Sequence, residues 1–192
     1  MSDWKQRLKR DLEPILREAD PRPKISSYHN MPYAIFRYSP DDEFAVRAEI
    51  TMLRTRLEQA GKRVTVISLS TCLGIALERE GITFDEIKMT EKITGTETMA
   101  DTLHKVLSKY QPLDVLVAEQ LPVKADPFVD VVFITRAGAL FPFYRTSSLL
   151  EQLMGKVKIP AVLFYPGEFD GAAGLRFMGV LDAEHNYRPK IF

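Results

Sequence analysis

The stretch YAIFRYSPDDEFAVRAEI, residues 33–50, passes from an apolar run through a short polar turn into a pattern of helical period. It reads as a strand that delivers a helix. The strand is PYAIFRYS, residues 32–39, apolar enough for a buried position. Ser39 and Pro40 open the helix, Val46, Ile50, Leu53 and Leu57 form its apolar stripe, and Arg47, Arg54, Arg56 and Glu58 take its wetter side. Gly61 stands where a stop belongs. KRVTVISLS, residues 62–70, is the next strand, so the order predicts a right-handed parallel crossover.

In a parallel α/β domain such a junction holds phosphates, because free N–H groups and the positive helix end face the ligand. That site needs glycine, and a Walker loop also needs its lysine and hydroxyl. YSPDDEFAVR supplies neither. Asp41, Asp42 and Glu43 fill the first helical turn, where they answer the helix dipole and repel a phosphate. The turn is therefore read as closed to nucleotide. A magnesium site on the three acids is the other reading of them, set below plain capping.

The 192 residues are 45% hydrophobic with 26 basic and 26 acidic side chains, which predicts one folded domain over 1–192 and gives no global charge to select nucleic acid or an anionic membrane. Cys72 is the lone cysteine, so no internal disulfide forms. No apolar run approaches the roughly 20 residues needed to span a bilayer, and the expected location is cytoplasmic. Residues 1–20 read as an amphipathic helix with Trp4, Leu8, Leu12 and Ile15 as its docking stripe and Lys5, Arg7 and Arg10 on other faces. DPRPK, residues 20–24, is a stiff connector.

Further on, residues 71–81, 83–93 and 96–110 read as helices, the last with Met99, Leu103, Val106 and Tyr110 on one face. LDVLVAEQ, residues 113–120, reads as a short strand, and VDVVFITR, residues 129–136, as the most buried strand of the chain. AGALFPFYR is a loop. TSSLLEQLMG follows as a helix, with Ser148 and Glu151 at capping-box spacing and Gly155 at its end. IPAVLFYPG, residues 159–167, is a strand, and the tail gives a glycine-rich loop and an antiparallel edge pair. The fold class is α/β, a single domain with a mostly parallel sheet flanked by helices, similar in element order to a P-loop-type ATPase core lacking its phosphate-binding loop.

No segment carries a recognisable catalytic constellation. The glycines Gly167, Gly171 and Gly174 lack the G-x-G-x-x-G spacing, which leaves a surface loop. Cys72 lies near a strand end, where a nucleophile can be presented, yet His29, His104 and His185 have no evident link to it, and a buried structural thiol is the better reading. One cysteine and three scattered histidines give no zinc spacing. The unusual segment is TRAGALFPFYRTSSLL, residues 135–150. Arg136, Phe141, Phe143, Tyr144 and Arg145 sit just past a buried strand, at the carboxyl edge where open α/β sheets place their sites. Arginine among aromatics is the composition of interface hot spots, and it also suits stacking on bases or clamping a phosphate. The plainer alternative puts the phenylalanines in the core and pairs the arginines with acids such as Asp130 or Glu151.

In order, YSPDDEFAVR, VDVVFITRAGALFPFYRTSSLLEQL, PAVLFYPGEFDGAAGLRFMG and NYRPKIF resemble the BrxB family, accessory proteins of the bacterial BREX phage-defence system. The resemblance covers nearly the whole chain and is strongest from Asp114 onward. It implies a place in an apparatus with a DNA methyltransferase, a large ATPase and an alkaline-phosphatase-like (PglZ-type) protein, the last being the partner expected here. The family has no established catalytic motif to transfer, so a non-enzymatic adaptor without cofactor or metal is expected, held by Arg136, Phe141, Phe143, Tyr144 and Arg145. The other reading is a degenerate nucleotide- or nucleic-acid-binding protein that regulates the same complex. Contact with nucleic acid stays open; no membrane is expected as a partner.

Overall fold

The computed structural model describes residues 3–26, 31–171, 174–184 and 189–192. Helix α1 (Asp3–Arg7) runs through a π-helical stretch, Leu8–Leu12, into α2 (Glu13–Leu16). Trp4, Leu8, Leu12 and Leu16 are all buried, while Ile15 is half-buried. A repeat of exactly four drifts by about 40° per step on a regular α-helix. The widened π turn keeps the four side chains on one line, so Leu16 takes the place expected of Ile15.

A short helix α3 (Arg22–Ile25) leads to strand β1 (Tyr33–Tyr38). The turn Pro40–Asp42 is 3-10 helical and opens α4 (Glu43–Gln59), whose buried apolar face is Val46, Ile50, Leu53 and Leu57. Gly61, at φ 88°, ends it. Strand β2 (Arg63–Ser68) then joins the same sheet, but it does not lie beside β1.

Helices α5 (Leu69–Arg79), α6 (Phe84–Thr94) and α7 (Thr96–Lys105) follow, and α7 continues as a π turn, Val106–Tyr110. That turn buries Leu107 and swings Tyr110 outward, so Tyr110 leaves the face on which helical spacing places it. Residues 113–120 form helix α8 (Leu113–Glu119), not a strand. Its buried side chains Leu113, Leu116 and Val117 recur at i, i+3 and i+4, and the run is short enough that period alone does not separate helix from strand.

Strand β3 (Asp130–Thr135) is buried at every position. A 3-10 turn, Ala137–Leu140, leads to α9 (Thr146–Gln152). The expected Ser148–Glu151 box is not used: the helix begins at Thr146, so Ser148 lies inside it, and Arg145 at the cap position makes no side-chain capping bond. Strand β4 (Ala161–Asp170) runs on past the sheet into an antiparallel pair with β5 (Gly174–Phe177). The glycine-rich segment is thus part of a hairpin rather than a surface loop; Ala172 and Ala173 lie outside the described residues. Strand β6 (Lys190–Ile191) pairs parallel with β1. Residues 186–188 of the NYRPKIF segment are also outside them.

The sheet order is β2-β3-β4-β1-β6, with β5 paired to β4. The β1–α4–β2 unit therefore steps over two strands, a span well within the roughly 25 Å length of a 17-residue helix. Alternation along β1 builds both cores. Tyr33 and Ile35 join Leu73, Leu107, Leu116 and Leu149 on one face; Ala34, Phe36 and Tyr38 join Trp4, Leu12, Ile50 and Leu53 on the other.

Candidate functional site

The carboxyl ends of β1, β2 and β3 and the crossing point of β4 bring Tyr38, Ser68, Thr135 and Pro166 to one edge of the sheet. Just past β3 the chain must leave the sheet and at once return Ala137 and Leu140 to the core. Arg136 makes that corner in the left-handed region, φ 63° and ψ 35°, which costs a non-glycine residue of order 1–2 kcal/mol. Its Nε stands 3.7 Å from Glu43 Oε1, and Glu43 Oε2 accepts the Tyr38 hydroxyl at 2.5 Å. Burial first, then the Glu43 carboxylate, pushes the Tyr38 pKa up. Glu43 therefore joins two strand ends, a role beyond the capping expected of it. Asp41 stays exposed.

The five candidate rim residues divide. Tyr144 is buried, its hydroxyl donates to Gln152 Oε1 at 2.9 Å, and burial pushes its pKa up to about 12. Phe141 is half-buried, edge-on to Phe177 at 6.1 Å, and Phe143 is half-buried with its carbonyl hydrogen-bonded to His104 Nδ1 at 2.9 Å. Arg145 pairs with Glu184 at 2.7 Å. Both arginines thus meet acids, as the plainer alternative required, but the acids are Glu43 and Glu184, brought in from distant segments.

Between α7 and this segment lies a cleft of about 360 Å³ lined by His104, Ser108, Pro142, Phe143, Arg145 and Gln152. His104 is thereby drawn to the rim from a helix flank. Ring contacts and the bond to Gln152 fix the segment from beneath, while Arg145, Pro142 and half of Phe143 face outward.

Elsewhere, Cys72 is buried with Gln120 Nε2 at 3.0 Å from its sulfur, and burial pushes its thiol pKa up, away from a reactive thiolate. His29 and His185 lie outside the described residues. Among the described residues no group of three or more His, Cys, Asp or Glu side chains is placed to hold a metal ion, and no helix is long and apolar enough to cross a membrane.

The family model for the BREX protein BrxB matches residues 65–191, more than half of the chain and the whole Arg136–Arg145 rim. This chain belongs to the BrxB family. A BREX protein BrxB from Bacillus cereus (strain H3081.97) is 27% identical over 180 residues, covering 93% of this chain and 92% of its own. BrxB membership makes the chain a component of BREX phage defence. No solved structure matches. The narrower likeness to a P-loop-type ATPase core gains no support, and the Ser39–Glu43 turn of this chain carries acids and no glycine.

Proposed function

We propose that this BrxB-family protein is a non-catalytic adaptor of the BREX apparatus, and that the Arg136–Arg145 rim holds a protein partner, the alkaline-phosphatase-like PglZ-type component. The observation that carries the reading is a rim of half-exposed aromatics and two arginines on a fixed base. Tyr144, His104 and the Phe141–Phe177 contact anchor the segment, so binding loses less conformational entropy than it would on a loose loop. Arginine and aromatic side chains are the common anchors of protein interfaces.

The test is recovery of partners on the tagged protein from cells carrying the whole defence locus, wild type beside Arg136→Ala and Phe143→Ala. Loss of the phosphatase-like component from both variants, with folding intact, is the expected result. Undiminished recovery from both would refute the assignment of this rim.

A further inference from the structure

On the opposite flank of β1 the hairpin, the N-terminal helix and the edge strand enclose a cleft of about 590 Å³. Its lining includes Arg7 and Arg10 from the N-terminal helix, Arg37 from β1 and Lys190 from β6, three separate parts of the structure, beside the phenyl rings of Phe169 and Phe192. Arg37 is an arginine inside an otherwise apolar strand. Its guanidinium is half-buried, lies 4.5 Å from the Phe169 ring centroid, and has no carboxylate bonded to it among the described residues; its Nε is buried without a hydrogen-bond partner. Arg7 stands beside it, donating from Nη2 to the Arg37 carbonyl at 2.9 Å and from Nε to Asp3 at 2.9 Å, with Nη1 buried and unpartnered.

Two cations are therefore held together at a cost. Burial first, then the neighbouring Arg7, lower the Arg37 pKa against the partial opposition of Asp3 and Glu168, and orphaned buried donors are uncommon enough to need an explanation. The carboxylate side chains at the cleft are Asp3, already bonded to Arg7, Asp11 on the rim, and Glu168, which with Asp3 partly offsets the charge around Arg37; they number three against four cations, and the Phe192 oxygen takes the Arg37 backbone N–H at 3.0 Å. A single carboxylate would answer one guanidinium. Four converging cations suit an anion with three or more oxygens and more than one charge, and planar guanidiniums hold phosphate in a forked geometry. Phe169 is 48% exposed and offers a ring face at the mouth.

We propose that this cleft is a phosphate-binding site, with Arg7 and Arg37 as its floor and Arg10 and Lys190 as its rim, taking either a free phosphate or the phosphodiester of a single nucleic-acid strand. The site is distinct from the Arg136–Arg145 rim and does not rest on the adaptor reading. Neither does it reopen the Ser39–Glu43 turn, whose acids face elsewhere.

The experiment titrates the full chain with inorganic phosphate, a short oligothymidylate and a short oligoglutamate at constant ionic strength, following the arginine Nε–H resonances. Phosphate and oligothymidylate are expected to shift the Arg37 and Arg7 signals. Arg37→Gln should weaken both by about tenfold or more. The paired surface changes Arg10→Gln and Lys190→Gln, at exposed side chains of which Lys190 also donates to the Lys24 carbonyl and lies over the Phe192 ring, should weaken both and flatten the salt dependence of the oligonucleotide. Oligothymidylate binding far tighter than phosphate identifies the strand as the source; equal affinities identify free phosphate. Oligoglutamate binding as tightly as oligothymidylate, or variants that bind phosphate like the wild type, would overturn the proposal.

Discussion

The guanidinium of Arg56 grips Glu13 across the junction of α4 and the N-terminal helix, with Nη2 at 2.8 Å from Oε2 and Nε at 3.0 Å from Oε1. The same Nη2 lies 2.9 Å from Glu49. Glu13 and Glu49 side chains are only 9% and 6% exposed, so Arg56→Ala strands the buried Glu49 carboxylate and leaves Glu13 with Arg17 alone. The expected loss is about 3 kcal/mol, the low end of the range for breaking a buried pair because Arg56 itself is partly solvated. Urea denaturation measures it. A loss below about 0.5 kcal/mol would show that the clamp is incidental.

The same clamp makes a pH prediction. Burial alone would raise the Glu13 pKa, but hydrogen bonds from Arg56 and Arg17 outweigh it and hold the group below its ordinary 4.5. Asp130, bonded to Arg63, is likewise held low. A carboxylate depressed in the folded state stabilises fully above its unfolded pKa and loses that contribution as pH falls through the folded value. Urea midpoints should stay level from neutral pH down to about 4.5 and drop below it, less steeply in Glu13→Gln. An equal acid slope in the variant would remove Glu13 from the account.

Docking of the N-terminal helix can be tested separately. Leu12 is fully buried, and Leu12→Ala should cost about 2–5 kcal/mol through lost transfer energy and a cavity. Removing residues 1–19 should expose Ile50 and Leu53 and promote association, read by light scattering. A monomeric truncation of unchanged stability would mean that the helix contributes nothing to the fold.

Two glycines should respond in opposite directions. A β-carbon at Gly167 would lie 2.3 Å from Tyr165 Cε1 and 2.5 Å from the Arg176 carbonyl oxygen, so Gly167→Ala should destabilise by about 1–3 kcal/mol as β5 is forced off β4. Gly74, inside α5, has no atom within 4 Å of that position. Gly74→Ala should stabilise by about 0.5–1 kcal/mol. Thermal melts of the two variants decide both.

Arg136 separates backbone cost from binding. Arg136→Gly relieves the left-handed strain and adds unfolded-state entropy, two terms of similar size, so stability should change by less than about 1 kcal/mol. Arg136→Val, with a branched β-carbon in that region, should lose about 1–2 kcal/mol. If the rim binds as proposed, Arg136→Ala weakens the partner complex by about 2 kcal/mol, near thirtyfold, with little change in melting temperature. Variants that lose stability yet, once folded, bind normally would make the segment a core plug.

Local pattern in the sequence sufficed for the strands at residues 33–38, 63–68 and 130–135 and for the long helix after Ser39, because period and turn chemistry are properties of neighbours along the chain. The family resemblance rested on motifs of the same kind. Short apolar runs escaped: residues 113–119 are as apolar as a strand, and only packing against α5 and α9 makes them helical. Two π turns, invisible to a fixed period, moved Leu16 inward and Tyr110 outward.

The sites were legible only in part. Arg136 to Arg145 stood out by composition, but the partners Glu43, His104 and Glu184 come from far along the chain. The basic cleft left one trace in the sequence, Arg37 within an apolar strand. Helical spacing puts Arg7 off the apolar stripe of its helix; joining it and Arg10 to Arg37 and Lys190 required β6 to pair with β1 and the hairpin to lay Phe169 over the gap. Sequence by itself fixed which segments are strands and helices where the pattern is long, since that depends on backbone geometry and side-chain period. Tertiary structure alone decided the sheet order, the acids that meet each arginine and the sharing of one cleft by four cations, since those depend on contacts between segments that no spacing along the chain encodes.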